Sequence, residues 1–238
     1  MNKGQILWFK KTTSTNDVAL SLAKRGFPQG TVIVSDFQTK GRGRQGRTWE
    51  SQQGKDLLFS IIFKSCGSFL QDKISLLASV AVANVLKKKF NITTFLRWPN
   101  DLLFENKKIC GVLVEGSPDD EYFVVGIGIN VNSKKNELPE SATSLSLIKK
   151  THLERRTLLV NIVDSCDTLY RESKYKSDII IKEATLLCET LGRSATIKEK
   201  KKRFEGYCIG LNTDGSLLVR LDSGMQKTIR SAEVMVIK

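Results

Sequence analysis

Residues 124–132 read VVGIGINVN, and the glycine spacing in this stretch governs how the rest of the chain is understood. Successive side chains of a β-strand point to opposite faces. Val125, Ile127, Ile129 and Val131 therefore share one face, and Gly126, Gly128, Asn130 and Asn132 the other. One face is apolar; the other is bare and ends in amides. A glycine face weakens a strand and marks a place where a ligand or another backbone comes very near. On its own, the segment is compatible equally with a bound ligand and with a tight sheet crossing.

Working outward, TTFLRW (93–98), KICGVLVEG (108–116) and YFVVGIGINVN (122–132) read as strands separated by the polar turns PNDLLFENK and SPDDE. GTVIVSDFQ (30–38) and DLLFSIIF (56–63) read as two further strands. TTSTNDVALSLAKRGF (12–27) reads as a capped helix with Val18, Ala19, Leu22 and Ala23 as its apolar stripe and Gly26 as its stop. DKISLLASVAVANVLKKKF (72–90) predicts a helix with Ile74, Leu77, Ala78, Ala81 and Val85 on one stripe and Lys87 to Lys89 at its carboxyl end. SKKNELPESATS (133–144) is a polar loop, and residues 151–191 are helical, with Leu159, Ile162, Val163, Cys166, Leu169 and Tyr170 as a core stripe. From Arg193 the pattern changes to short strands with the turn signals NTDG and DSGM, which predicts a small separate β-barrel. The expected domains are residues 1–191 and 192–238. KEKKKR (198–203) reads as a solvated edge strand.

The formal net charge of +13 predicts a surface that attracts anions without choosing among nucleotides, nucleic acids, acidic proteins and membranes. Cys66, Cys110, Cys166, Cys188 and Cys208 are widely spaced and contain no C-x-x-C, so neither a disulfide framework nor a zinc site is indicated. A reducing compartment, and with it the cytoplasm, is expected, because the amino terminus carries no signal-like apolar run and no stretch approaches a membrane span. The only histidine, His152 in KKTHLERR, reads as a solvated residue beside a Thr151/Glu154 capping box. Histidine metal clusters are thereby excluded, and the remaining Arg, Lys, Asp and Asn point to phosphate chemistry.

GRGRQGRTW (41–49) joins two of the strands. Gly41, Gly43 and Gly46 permit close backbone approach, while Arg42, Arg44 and Arg47 offer planar charged forks for phosphate or carboxylate. A phosphate cradle is favoured over an RNA-binding tail because the run lies between strands. Trp49 either stacks on a base or plugs the core. Ser14, Thr15 and Asn16 are ordinary helix caps that can also hold a small polar head group. Pro99, Asn100 and Asp101 score as a turn, with Asp101 a possible magnesium ligand. Strict alternation pairs Lys107 with Gly111, so pattern alone does not select Lys108.

Together TSTND, FQTKGRGRQGRTW, RWPNDLL, KKICGVLVE and VVGIGINVN, in this order, resemble the biotin protein ligases, and the resemblance extends through LPESATSL to the carboxyl-terminal unit. It implies an α+β fold related to the class II aminoacyl-tRNA synthetases, a mixed sheet flanked by helices, followed by a Src-homology-3-like barrel. It also implies two reactions: biotin and ATP give biotinyl-5′-adenylate and pyrophosphate, and a lysine of a biotin carboxyl carrier protein then takes the biotinyl group. By position, Ser14, Thr15, Asn16, Gln38, Arg42, Gly43, Arg44, Lys108 and Gly111 would hold biotin. Arg44, Arg47, Trp49, Asn100, Lys108 and Asn130 would face the adenylate, Arg44, Lys108 and Asp101 would serve catalysis, and Asp101 would lie near magnesium. Gln45 stands where many members carry arginine. The lack of a helix-turn-helix segment before ILWFKKTTSTND leads to the expectation of no specific DNA binding. A homodimer is compatible with the sequence. A lipoate-type ligase of the same fold and a basic nucleic-acid-binding module are the alternatives.

Overall fold

The computed structural model describes residues 4–64, 71–116, 121–176, 178–199 and 202–237. Cys66 and the SPDD part of the second polar turn lie outside them.

The first sheet is built from β1 (Ile6–Phe9), β2 (Val32–Ser35), β3 (Leu57–Lys64), β4 (Phe95–Arg97), β5 (Asp101–Phe104), β6 (Lys107–Glu115) and β7 (Tyr122–Ile129). Its seven strands run in the order β1-β2-β3-β7-β6-β5-β4. Only β1 and β2 pair in parallel, so the sheet is mixed, as expected. The glycine-faced strand is β7, at its centre, with Gly126 opposite Ser60 and Gly128 opposite Leu58 on β3.

Alternation along these strands separates two apolar layers. Val125, Ile127 and Ile129 join the larger core, which also contains helix α2 (Gln71–Phe90). Ile33, Ile62 and Val124 point the other way and pack with Ala19, Leu22 and Ala23 of helix α1 (Thr15–Lys24). Gly126 and Gly128 share this second face, and it opens where the amino-terminal end of α1 stops covering it.

Several expectations need correction. Helix α2 is buried nearly all round, from Ile74 to Leu86, rather than along one stripe. The sheet lies on one side of it, and α4 (Arg155–Ser173) and α5 (Ile179–Leu187) lie on the other. Residues 99–107 are not all turn, because β5 runs through them. Its hairpin to β6 turns on Glu105 and Asn106, both at positive φ (48° and 63°), a primed turn made without the usual glycine. Strand β1 and the short helix α3 (Leu145–Lys149) also escaped the pattern. His152 is exposed as expected, but the cap of α4 is Glu154 alone, whose carboxylate accepts from the backbone N–H groups of Arg156 and Thr157.

The carboxyl-terminal strands are β8 (Ser194–Glu199), β9 (Lys202–Leu211), β10 (Leu217–Arg220), β11 (Gln226–Ile229) and β12 (Glu233–Val236). They form an antiparallel sheet in the order β11-β10-β9-β8-β12. No ladder joins its outer strands among the described residues, so the unit is an open five-stranded sheet rather than a closed barrel. Of KEKKKR, Lys198 and Glu199 end the interior strand β8 and Lys202 and Arg203 begin the interior strand β9, so these are not edge residues; Lys200 and Lys201 lie outside the described residues. Apolar contact is continuous between the two sheets: Ala195, Ile197, Cys208 and Leu217 belong to the same core as Leu96, Trp98 and Cys188. The Trp98 indole N–H donates to the Gly215 carbonyl at 3.0 Å.

Candidate active site

A cavity of about 250 Å³ opens over the bare face of the main sheet. Its walls come from the start of α1, the loop between β2 and β3, β5, β6, and residues 232–235 of the carboxyl-terminal sheet. Every residue assigned to the site by resemblance lines it, except Asn130.

The floor explains the glycines. A Cβ at Gly126 would lie 2.3 Å from Asn16 Oδ1, and one at Gly128 would lie 2.6 Å from Cε2 of Trp49. One at Gly111 would lie 2.8 Å from Cζ3 of the same indole and 3.1 Å from Lys108 Nζ. Trp49 therefore lies across bare sheet inside the cavity, and its buried indole N–H has no hydrogen-bond partner among the described residues. Lys108 reaches Gly111's face because the β5–β6 ladder shifts register: Leu102 pairs with Cys110, and Leu103 pairs with Lys108. The extra residue, Ile109, breaks strict alternation, which is why the pattern favoured Lys107. Lys108 Nζ sits 2.8 Å from Asp101 Oδ1 and 5.3 Å from the Trp49 ring centroid. Asn130 is buried beside the cavity and donates to the carbonyls of Lys108 (3.3 Å) and Thr143 (3.0 Å), so it braces the lysine's backbone.

The loop arginines differ in their partners. Arg42 forks onto Asp17, at 2.6 and 3.0 Å, and onto Glu115, at 2.9 and 3.2 Å. These hydrogen bonds hold its pKa above the ordinary arginine value and hold Asp17 below the ordinary carboxylate value. Arg47 pairs with Glu233 of β12, and Arg97 with Glu189. Arg44 has only neutral acceptors, Asn100 Oδ1 at 3.2 Å and Ser231 Oγ at 2.8 Å. Burial lowers its pKa, though not enough to discharge a guanidinium. Among the described residues of the cavity, Arg44 is the cation with no carboxylate in ion-pair contact. The arrangement leaves a half-buried positive charge free to meet an anion.

At the other end, Ser14 occupies the N-cap position of α1, yet its side chain makes no cap hydrogen bond. Gln38 Oε1 accepts from the Thr15 backbone N–H at 2.6 Å and lies 3.1 Å from its hydroxyl. Buried Ser60 reaches Thr15 Oγ1 at 2.7 Å and Asn16 Oδ1 at 2.6 Å, and Asn16 Nδ2 donates to Glu115 at 2.7 Å. Sequence reasoning missed Ser60, Asp17, Glu115, Ser231 and Glu233. Ser60 left a signal, a lone hydroxyl inside the apolar run DLLFSIIF. Ser231 and Glu233 left none, because they meet the loop from 186 or more positions away.

Among the described residues, no three His, Cys, Asp or Glu side chains converge to hold a metal. Magnesium does not need such a cage, since one or two carboxylates suffice when phosphates and water complete its shell. Asp101 fits that limited role.

Residues 8–132 match the Biotin/lipoate A/B protein ligase family. The bifunctional ligase/repressor BirA of Bacillus subtilis is 32% identical over 96% of this chain and 73% of that protein. The biotin–[acetyl-CoA-carboxylase] ligase of Mycobacterium tuberculosis is 33% identical over 57% of this chain and 52% of that protein. Among solved structures, the biotin protein ligase from Aquifex aeolicus in complex with biotin and ATP superposes with a TM-score of 0.84 at 30% identity, covering 98% of this chain and 99% of that one.

Proposed function

Because the chain belongs to the Biotin/lipoate A/B protein ligase family, we propose that it activates biotin with ATP to biotinyl-5′-adenylate and passes the biotinyl group to a lysine of a biotin carboxyl carrier protein. The observation that carries this reading is Arg44: a half-buried guanidinium with no carboxylate in ion-pair contact, lining the same cavity as Ser14, Thr15, Asn16 and Trp49. Such a charge favours the anionic centre that forms when a carboxylate oxygen bonds to the α-phosphorus and the bond to the β-phosphate breaks. Biotin's carboxylate is ionised at neutral pH, so this step needs alignment and charge neutralisation but no general base.

In this reading Ser14, Thr15, Asn16 and Gln38 hold the ring, whose urea has donors and an acceptor for them. A lipoate dithiolane has neither, which favours biotin. Arg42 and Gly43 shape the loop over the carboxylate, and Gly111 leaves room for the ligand. Lys108 joins Arg44 at the anhydride, and Arg47, Trp49 and Asn100 face the nucleotide. Asn130 acts through the Lys108 backbone. Asp101 would hold magnesium, which would supply neutralisation of phosphate charge. In the second step the carrier's lysine nitrogen bonds to the acyl carbon, AMP departs, and the amine proton leaves to solvent. Residues 1–191 form the catalytic unit, and 192–238 a smaller one that closes the nucleotide end. No helix among the described residues is long and apolar enough to cross a membrane. The four described cysteines are buried and free, which suits the reducing cytoplasm.

Incubation with ATP, magnesium, a carrier domain and either biotin or lipoate, followed by mass measurement of the carrier, tests the reading. The expected result is one added biotinyl group per carrier and none from lipoate. A carrier unchanged by biotin would refute it.

A further inference from the structure

The polar groups around the head-group pocket and the loop above it form one chain of contacts, and Glu115 is the residue common to both. Its Oε2 accepts from Asn16 Nδ2 at 2.7 Å and from the Arg42 guanidinium at 2.9 Å, while Oε1 accepts from Arg42 Nε at 3.2 Å. A carboxylate only accepts, so the Asn16 amide must turn its NH2 toward Glu115 and its oxygen toward Ser60. The single Ser60 hydroxyl proton then goes to Asn16 Oδ1, and Thr15 Oγ1 meets a Ser60 lone pair. Asn16 is 3% exposed, is packed against Gly126 and is hydrogen-bonded to Glu115. On the other side, Arg42 pairs with Thr48 in an isolated bridge that forms the base of the loop 42–49. Glu115 thus touches both the pocket amide and the guanidinium at the base of the loop, and that guanidinium is held by two carboxylates.

Resting on the ligase reading above, we propose that Glu115 is a positioning residue that couples occupancy of the head-group pocket to closure of the arginine loop. Through Asn16, Ser60 and Thr15 it fixes which atoms face the ring, and through Arg42 it sets where the loop stands. Arg42 accordingly acts through its two carboxylate partners rather than as a free anion ligand, and Arg44 remains the charge that meets the substrate.

The test uses the full chain, biotin titration calorimetry, and limited trypsin digestion, which reads cleavage at Arg44 and Arg47 directly. In the wild-type chain, saturating biotin slows loop cleavage. In Glu115→Gln, biotin affinity falls by about tenfold or more, the loss expected for a charged hydrogen bond. Saturating biotin also no longer protects the loop. A residue that merely stabilises the fold would lower the melting temperature and leave protection at saturating biotin intact, and that result overturns the coupling. Arg42→Lys, which keeps the charge but loses the planar fork that makes two bonds to each carboxylate, carries the test if Glu115→Gln does not fold. Protection lost in it supports the coupling; protection kept overturns it. A wild-type chain that binds no biotin overturns the ligase reading and the coupling with it. Wild-type binding beside equal protection in the variant overturns the coupling alone.

Discussion

Gly128 shows how strongly single positions are constrained. Its missing side chain is filled by the Trp49 indole, and Gly126 is filled in the same way by Asn16. Neither neighbour is the loose end of a flexible chain, so a methyl group must displace a packed ring or a hydrogen-bonded amide. Gly128→Ala is expected to cost about 1–3 kcal/mol of stability, as overpacking does. It should also weaken biotin binding, read by thermal unfolding and titration. Unchanged binding would mean that the bare face is a packing device only. These glycines were legible in the sequence because alternation is a local rule. Alternation did not select Lys108, which only the family resemblance named, because the bulge at Ile109 breaks that rule and depends on the pairing with β5. The three loop arginines were alike in the sequence and proved different, because their partners, Asp17, Glu115, Ser231 and Glu233, come from remote segments.

The loop between β2 and β3 is tied to α1 and β6 through the Asp17–Arg42–Glu115 contacts, and this tie has a pH signature. Hydrogen bonding to Arg42 holds Asp17 below its ordinary value of 3.8. A carboxylate depressed in the folded state adds stability that is present above its unfolded value and is lost as pH falls through the folded value. Asp17→Asn is therefore expected to melt at a lower temperature than the wild type at pH 6, with the two curves converging as pH drops below 3.8. A difference independent of pH would contradict the ion-pair assignment. Helices α1 and α4 and the central strands could be read from periodicity. Strand β5 could not, because four residues lie between two sets of turn signals. The turn at Glu105 and Asn106 also lacks the glycine that would have announced a hairpin. For α2, periodicity gave the element but understated its burial, which depends on α4 and α5 packing on the side away from the sheet.

At the level of the molecule, one apolar core runs from the main sheet into the carboxyl-terminal sheet, and the cavity is completed by residues 232–235. The composition change at Arg193 was visible in the sequence, but the contact of this unit with the arginine loop was not. The net charge of +13 acts over longer range than any of these contacts. If it steers an acidic carrier domain, raising ionic strength should slow transfer to the carrier more than it slows adenylate formation, as single-turnover rates would show. Equal salt sensitivity of the two steps would rule steering out.

Biotin adenylation, the step proposed for Arg44, can be measured without the carrier, as biotin-dependent exchange of labelled pyrophosphate into ATP. The wild-type chain should exchange only when biotin is present, and Arg44→Ala should lower the rate by about a hundredfold or more, as removal of a preorganised charge does. Exchange that proceeds without biotin, or that survives Arg44→Ala undiminished, would contradict the assignment of this cavity to biotin activation.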